Sequence, residues 1–400
     1  MNARIVLIHA FVLIAGCGGG GSGGGGTPAV PSKFLYASAY AGPNDNFASI
    51  YGFAVSPSGA LSAVPGSPVP TAEGGGPIAI THDSKFLYTH DYLYLTQSGS
   101  LLAFQIHGDG SLTSAATGSS FSMPDRPVGL VAHPTLDFLY LSSYSGVLTV
   151  FAIDSATGAL NQTSSVNLGN EFINDSAAIT PNGRYLYQSD KYPDNLFPTT
   201  SQIAGFSTNT STGALSSVPG SPLAPTIHTA SSIGEPVIDP TGKFLYAGYV
   251  FTVVNVGDDG GVAAYSIEPA SGELTAVPGS PFDVGGVPSS LTIDGSGRFL
   301  IVSIYPRLGG QGGNCLAVLS IDPGTGALTS VPGSPFGRIC GVLAADPSGP
   351  YVYVGAGGFL DAPPAPIFVL SIDQATGALA PVGEATIPDS VGVSGISLTH

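Results

Sequence analysis

Charged residues make up only 9% of this 400-residue chain, so the few that adjoin one another are the first candidates for chemistry. His90-Asp91, Asp190-Lys191, Asp258-Asp259 and Arg307 are such residues. A carboxylate beside a His or an Arg suits general-base work and the stabilisation of an oxyanion. His90, Asp190 and Arg307 are the candidate catalytic residues on that ground. Each also reads as a solvated loop charge. The string Asp258-Asp259-Gly260-Gly261 is mildly calcium-like, but it lacks the twelve-residue ligand pattern, and turn chemistry explains it equally well. His82, His133 and His400 have neither the i, i+4 nor the short-loop spacing of zinc ligands and read as turn residues. Ser120, Ser143 and Ser303 sit in no Gly-x-Ser-x-Gly elbow. No glycine loop leads into a helix as phosphate-binding loops do. Neither a metal nor a cofactor is expected.

The elements that must position these residues are repeats. An aromatic-aliphatic strand recurs as Phe34-Leu35-Tyr36, Phe86-Leu87-Tyr88, Phe138-Leu139-Tyr140, Tyr185-Leu186-Tyr187, Phe244-Leu245-Tyr246, Phe299-Leu300-Ile301 and Tyr351-Val352-Tyr353, every 47 to 59 residues. That is the period of a propeller blade. A Gly-x-Leu turn recurs just as often, from Gly59-Leu61 to Gly377-Leu379. Val-Pro-Gly-Ser-Pro ends four repeats, at 64–68, 218–222, 277–281 and 331–335. Two prolines exclude a central ladder and leave an edge strand or exit loop. A third element, such as Pro236-Val237-Ile238, precedes each aromatic strand except the first. Its seventh copy is Ser394–Leu398 at the far end. The expected fold is therefore all-β: a seven-bladed β-propeller whose C-terminal strand completes the first blade, leaving no open edge.

Each blade then has an inner strand a, the aromatic strand b, strand c and an outer strand d. The a–b turns share a face with the Gly-x-Leu c–d turns, and His82, His133 and His400 fall at a–b turns, one per blade. The b–c and d–a loops share the opposite face. Their lengths vary, from Ser143–Gly146 to Tyr305–Asn314, and variable loops on a rigid scaffold carry function. His90 and Asp190 start b–c loops, and Arg307 lies in the sixth.

Residues 1–16 read as a targeting segment, with Arg4 before an apolar run from Ile5 to Ile14 that is too short for a mature membrane span. The segment ends Leu13-Ile14-Ala15-Gly16-Cys17, which resembles a bacterial lipobox with Cys17 as the lipidated residue. Residues 17–31 form the anchor and a Gly-rich tether, and 32–400 the propeller. Gly18 stands where an inner-membrane retention Asp would sit, so the outer membrane is the expected destination. A net charge of −16 argues against a nucleic-acid partner. Cys315 begins strand c of the sixth blade and Cys340 precedes strand a of the seventh, on the same face. An exported chain meets an oxidising compartment, so this pair is expected to be a disulfide; two buried free thiols are the alternative.

The stretch Tyr140-Leu-Ser-Ser-Tyr-Ser-Gly-Val-Leu-Thr-Val-Phe-Ala-Ile-Asp154 resembles the repeat of the lactonase-type, or YVTN-repeat, seven-bladed propellers, which include 6-phosphogluconolactonases. The absence of Trp argues against WD40 repeats. The resemblance implies a lactone hydrolase. Enzymatic members carry Gly-Pro-Arg-His before an inner strand; here Asp125-Arg126-Pro127-Val128-Gly129 keeps the Arg and lacks the His. Where the family tends to place an Asn-Glu pair, this chain reads Gln188-Ser189-Asp190 and Ala247-Gly248-Tyr249. The departures shift the expectation to an exported, anchored, monomeric binding module that uses its b–c loop face on a protein, glycan or small ligand. An exported lactonase is the alternative.

Overall fold

A computed structural model describes residues 33–40, 48–71, 76–93, 98–115, 120–123, 126–169, 174–190, 202–223, 231–253, 257–306, 315–356, 365–388 and 392–399. The leader, Cys17, the Gly-rich tether, Lys191, Arg307 and His400 lie outside these residues. So do the side chains of Asp91, Asp190, Asp258 and Asp259. Among the described residues, no helix is long and apolar enough to cross a membrane.

The described residues form seven antiparallel sheets, the blades of a propeller numbered here by their aromatic strands. Blade 2 is typical: inner strand Ile78–Ile80, strand b Phe86–Leu93, strand c Ser98–Ile106 and outer strand Leu112–Ser114. Three blades carry a fifth short outer segment beyond the four strands expected, Val69–Thr71, Ser120–Met123 and Phe282–Asp283. Blade 1 is closed by the C-terminal strand Gly392–Leu398, which pairs Leu398 with Leu35 and Ser397 with Tyr36. The Thr399 hydroxyl accepts the Phe34 amide at 2.8 Å, and Lys33 meets the Asp346 carboxylate of blade 7 at 2.5 Å. The seven inner strands each adjoin the next, so the ring is complete.

No blade has a core of its own. Every buried apolar cluster is shared by two neighbours; Tyr246 and Val262 of blade 5 pack with Leu300 and Leu319 of blade 6, for instance. The cluster of Leu35 and Phe53 with Tyr353 and Val369 joins the two ends of the ring. A sheet buried on both faces needs apolar residues at consecutive positions. That is why strand b reads Phe-Leu-Tyr rather than alternating with polar residues.

One contact repeats at every blade boundary. The first aromatic ring of strand b packs on the glycine of the next blade's c–d turn: Phe34 on Gly110, Phe86 on Gly158, and so on to Tyr351 on Gly59. In blades 1, 2, 4 and 5 the tyrosine two residues on donates its hydroxyl to that same glycine's carbonyl, as Tyr36 to Gly110 at 2.8 Å, Tyr88 to Gly158 at 2.8 Å and Tyr187 to Gly272 at 2.7 Å, whereas the Tyr140 and Tyr353 hydroxyls have no partner and blade 6 has Ile301. Burial pushes these phenols far above their ordinary pKa, so they stay donors.

Turn residues behave as their repeat position requires. The Asp239 carboxylate accepts the amides of Thr241, Lys243 and Phe244. His133 takes that place in blade 3: its Nδ1 accepts the Thr135 and Leu136 amides, and its Nε2 faces the Gly183 carbonyl of blade 4 at 3.1 Å. His82 pairs with Asp137 at 3.2 Å. Both histidines hold turns together. In the Val-Pro-Gly-Ser-Pro segments the valines are buried, and Ser67, Ser221, Ser280 and Ser334 each accept an amide of strand c that the short outer strand leaves open. Cys315 and Cys340 are joined in a disulfide across 25 residues, with Cα atoms 5.2 Å apart.

Two stability experiments follow from these contacts. A Cβ on Gly272 would overlap the Tyr185 ring, whereas one on Gly66 would meet nothing, yet both glycines have φ +74°. Gly66→Ala should cost about 1 kcal/mol and Gly272→Ala about 3 kcal/mol in urea unfolding. Equal costs would remove the blade-boundary contact from the account. Replacing both Cys315 and Cys340 with Ser should cost about 3 kcal/mol by the chain-entropy relation, and added reductant should then have no further effect.

Candidate functional site

The residue two places after each Phe-x-Tyr triplet stands at one level of the ring, on the b–c side. The seven are Ser38, His90, Ser142, Ser189, Gly248, Ser303 and Gly355. The four serines are fully buried. Ser38 donates to the Gly76 carbonyl at 2.5 Å, Ser142 to Gln188 Oε1 at 2.5 Å and Ser189 to the Ser176 carbonyl at 3.2 Å. Ser303 accepts the Gly341 amide at 3.1 Å. Their hydroxyls tie strands together and stand beside no base, so they are structural.

His90 departs from this pattern. It is 9% exposed, and neither ring nitrogen has a hydrogen-bond partner. An unmet buried polar group costs roughly 1–3 kcal/mol. The ring lies flat against Gly76, where any Cβ would overlap it. Burial first, and the positive charge of Arg126 second, push its pKa down to about 4. At neutral pH it is therefore an uncharged imidazole with one lone pair free to accept.

Arg126 precedes the inner strand Pro127–Ala132 of blade 3 and is exposed. Its guanidinium lies 5.4 Å from the centroid of the Tyr144 ring, and its carbonyl accepts the Tyr144 amide at 2.8 Å. The three-residue connection from strand b to strand c, residues 144–146, thus lies against this cation on the b–c side.

A carboxylate stands on another inner strand. In blade 5 the inner strand Ser231–Ile238 pairs Ile233 with Tyr249 and Pro236 with Ala247. Gly234 and Glu235 therefore both oppose Gly248, a bulge that re-aims the side chain of Glu235. Glu235 is exposed, and it is the one charged side chain among the inner-strand side chains described.

Of the residues singled out from the sequence, the structure places His90 on the b–c side of blade 2. Asp190 ends strand b of blade 4, with its backbone opposite Asn174. Arg126, which was not among the candidates, is the described cation whose field reaches His90, and Arg307 lies outside the described residues. Glu235 was not singled out. Its signal was a charge within an inner strand, which would have stood out in an alignment of those strands. Among the described residues, no three His, Cys, Asp or Glu side chains are grouped to hold a metal. A cavity of about 710 Å³ opens on the opposite face between blades 5 and 7. Its polar groups are already used: Arg298 donates to the Gln374 carbonyl at 2.5 Å and Ser320 to the Thr329 carbonyl at 3.2 Å.

The family described as "Lactonase, 7-bladed beta-propeller" matches residues 34–171 and 198–337. Among solved structures, the Pseudomonas aeruginosa periplasmic gluconolactonase superposes with a TM-score of 0.66 at 15% identity, over 92% of this chain and 99% of that one. A Bacteroides uniformis protein provisionally called a 6-phosphogluconolactonase gives the same values, 0.66, 15%, 92% and 99%. A Lactobacillus plantarum protein gives 0.65 at 17% identity, over 92% and 99%. At these identities the likeness is one of fold. No curated protein matches the chain.

The buried histidine makes stability depend on pH. Its folded pKa, about 4, lies below the unfolded value near 6.5. Its contribution is therefore intact above pH ~6.5 and is lost as pH falls toward 4, because the unfolded chain takes up the proton first. Between pH 8 and pH 5 this amounts to about 2 kcal/mol. His133, also lowered by burial, adds a loss of the same sign. His90→Gln should remove the His90 share, read as a smaller drop in urea midpoint between the two pH values. An unchanged drop would mean that the imidazole is solvated.

Proposed function

The chain belongs to the seven-bladed lactonase β-propeller family, and from that membership we propose that it opens a lactone ring with water at the b–c mouth of the propeller. The observation that carries this reading is His90: a buried imidazole, uncharged, with both nitrogens unmet and a cation close enough to lower its pKa. Water held against such a nitrogen is oriented toward an ester carbonyl. Its oxygen adds to the carbonyl carbon and the ring C–O bond breaks. The proton released by water ends on the departing alkoxide, giving the open hydroxy acid. A base whose conjugate acid has a pKa near 4 is weak, so orientation and the Arg126 guanidinium facing the developing oxyanion supply most of the effect.

A second reading is the binding module suggested by the family motifs this chain lacks. Tyr144 and Tyr305, 36% and 49% exposed on the same face, favour it, since exposed aromatic residues anchor partners. For either reading we place the protein outside the cytoplasm, anchored through Cys17 with the outer membrane as the expected site. The Leu13–Cys17 sequence supports this, and so does a disulfide, which suits an oxidising compartment.

The test is a panel of sugar-acid and acyl-homoserine lactones assayed with the full chain in mild detergent. Turnover well above the spontaneous rate is expected, with kcat/KM level above pH ~5 and falling below it with an apparent pKa near 4. His90→Gln and Arg126→Ala should each lower kcat/KM roughly a hundredfold. No turnover on any lactone would leave the binding module as the reading.

A further inference from the structure

We infer that the C-terminal strand Gly392–Leu398 is a working part of the candidate site: through Ser394 and Ser38 it fixes Gly76, the surface on which the His90 imidazole rests. Ser38 is thus a positioning residue for His90. Its effect on catalysis rests on the hydrolytic reading above; its effect on the imidazole does not.

The contacts begin at a gap in the backbone ladder. Gly76-Pro77 lead into the inner strand Ile78–Ile80 of blade 2, and Pro77 has no N–H to pair. Two hydroxyls hold this segment by its carbonyls. Thr89 donates to the Pro77 carbonyl at 3.1 Å, and Ser38 of blade 1 donates to the Gly76 carbonyl at 2.5 Å. A serine hydroxyl has one proton to give. That of Ser38 goes to Gly76, so Ser394 is the donor in the 3.1 Å contact between the Ser38 and Ser394 hydroxyls. The Ser38 carbonyl is its second acceptor, at 3.3 Å. The closing strand comes near because Gly395 follows: a Cβ there would stand 3.0 Å from both the Gly76 carbonyl oxygen and the Ser38 hydroxyl.

The contacts end at the imidazole. A Cβ on Gly76 would lie 2.4 Å from both Cε1 and Nε2 of His90. Neither ring nitrogen has a hydrogen-bond partner to set the ring's angle. A ring without such a bond is aimed by packing, so where Gly76 sits decides where the imidazole points. A misplacement on the order of 1 Å can cost a reacting group about a hundredfold in rate.

The experiment follows the His90 Cε1–H resonance by NMR through a pH titration of the full chain in mild detergent. The kcat and KM for δ-gluconolactone and the rest of the lactone panel are measured alongside. Neither serine carries a charge, and the described charge acting on His90 is Arg126, which every variant keeps. A shift in titration therefore reports a moved imidazole. In the native chain His90 should titrate at about pH 4. Ser38→Ala should raise that value by about one unit or more, because water reaches the released ring, and should lower kcat about tenfold with KM little changed. Ser38→Cys, a weaker donor of similar size, should fall between the two. Ser394→Ala should move both quantities the same way by less. Ser303→Ala, which removes a comparable tie between blades 6 and 7, should leave the His90 titration in place. A titration unmoved in both Ser38→Ala and Ser394→Ala overturns the inference, as does an equal shift in Ser303→Ala. If the titration moves as expected and no lactone is hydrolysed, the positioning role stands and the hydrolytic reading falls. If the native chain hydrolyses a lactone and Ser38→Ala changes neither titration nor kcat, the hydrolytic reading stands and the inference falls.

Discussion

The structure depends on one interaction made at every blade boundary: an aromatic ring of one blade seated on the turn glycine of the next. A side chain on that glycine would occupy the space of the ring, as at Gly272 and Tyr185. Where a tyrosine follows, its buried hydroxyl can also donate to the glycine carbonyl, as Tyr246 does to Gly326 at 3.1 Å. In blades 1, 2, 4 and 5 packing and polar satisfaction are thus met by one short motif. Each blade offers apolar residues on both faces and can bury neither alone. The contact must therefore run all the way round, and Tyr351 on Gly59 is the same contact made between the two ends of the chain.

Closure frees the other face. The a–b turns and c–d turns are occupied with holding neighbours: Asp239 and Asp294 cap turns, His133 reaches Gly183, and Arg298 reaches Gln374. On the b–c side the ties between blades are fewer: Ser38 to Gly76, Ser142 to Gln188, Gly341 to Ser303 and the Cys315–Cys340 disulfide. There the repeat position after the aromatic triplet holds Ser, Gly or His, and the exception can serve chemistry. His90 lowers stability by leaving two nitrogens unmet in a buried place, where a serine would have bonded to a neighbour. Tyr140, Ser164 and Tyr353 also hold a buried hydroxyl without a partner; His90 differs from them in offering a ring nitrogen that can act as a base.

Electrostatics sharpen that site. The imidazole is kept neutral chiefly by burial, with Arg126 adding to it, while Arg126 itself stays at the rim on Tyr144.

The aromatic triplets, the Gly-x-Leu turns and the missing first inner strand made the fold legible in the sequence, because a repeat that cannot bury itself dictates a ring. The turn role of His133 and the pairing of Cys315 with Cys340 were legible for the same reason, that position within a repeat fixes position in space, whereas His90, expected to start a b–c loop, lies inside strand b opposite Leu101 because the strand pairing runs on to Leu93. Other facts lay between blades. That each aromatic triplet answers a glycine of the next blade, that Arg126 acts on His90, and that Gly234 and Glu235 form a bulge opposite Gly248, were decided only by the tertiary structure. Burial, field and bulge are properties of neighbours that the chain brings together from distant repeats, and no local spacing records them.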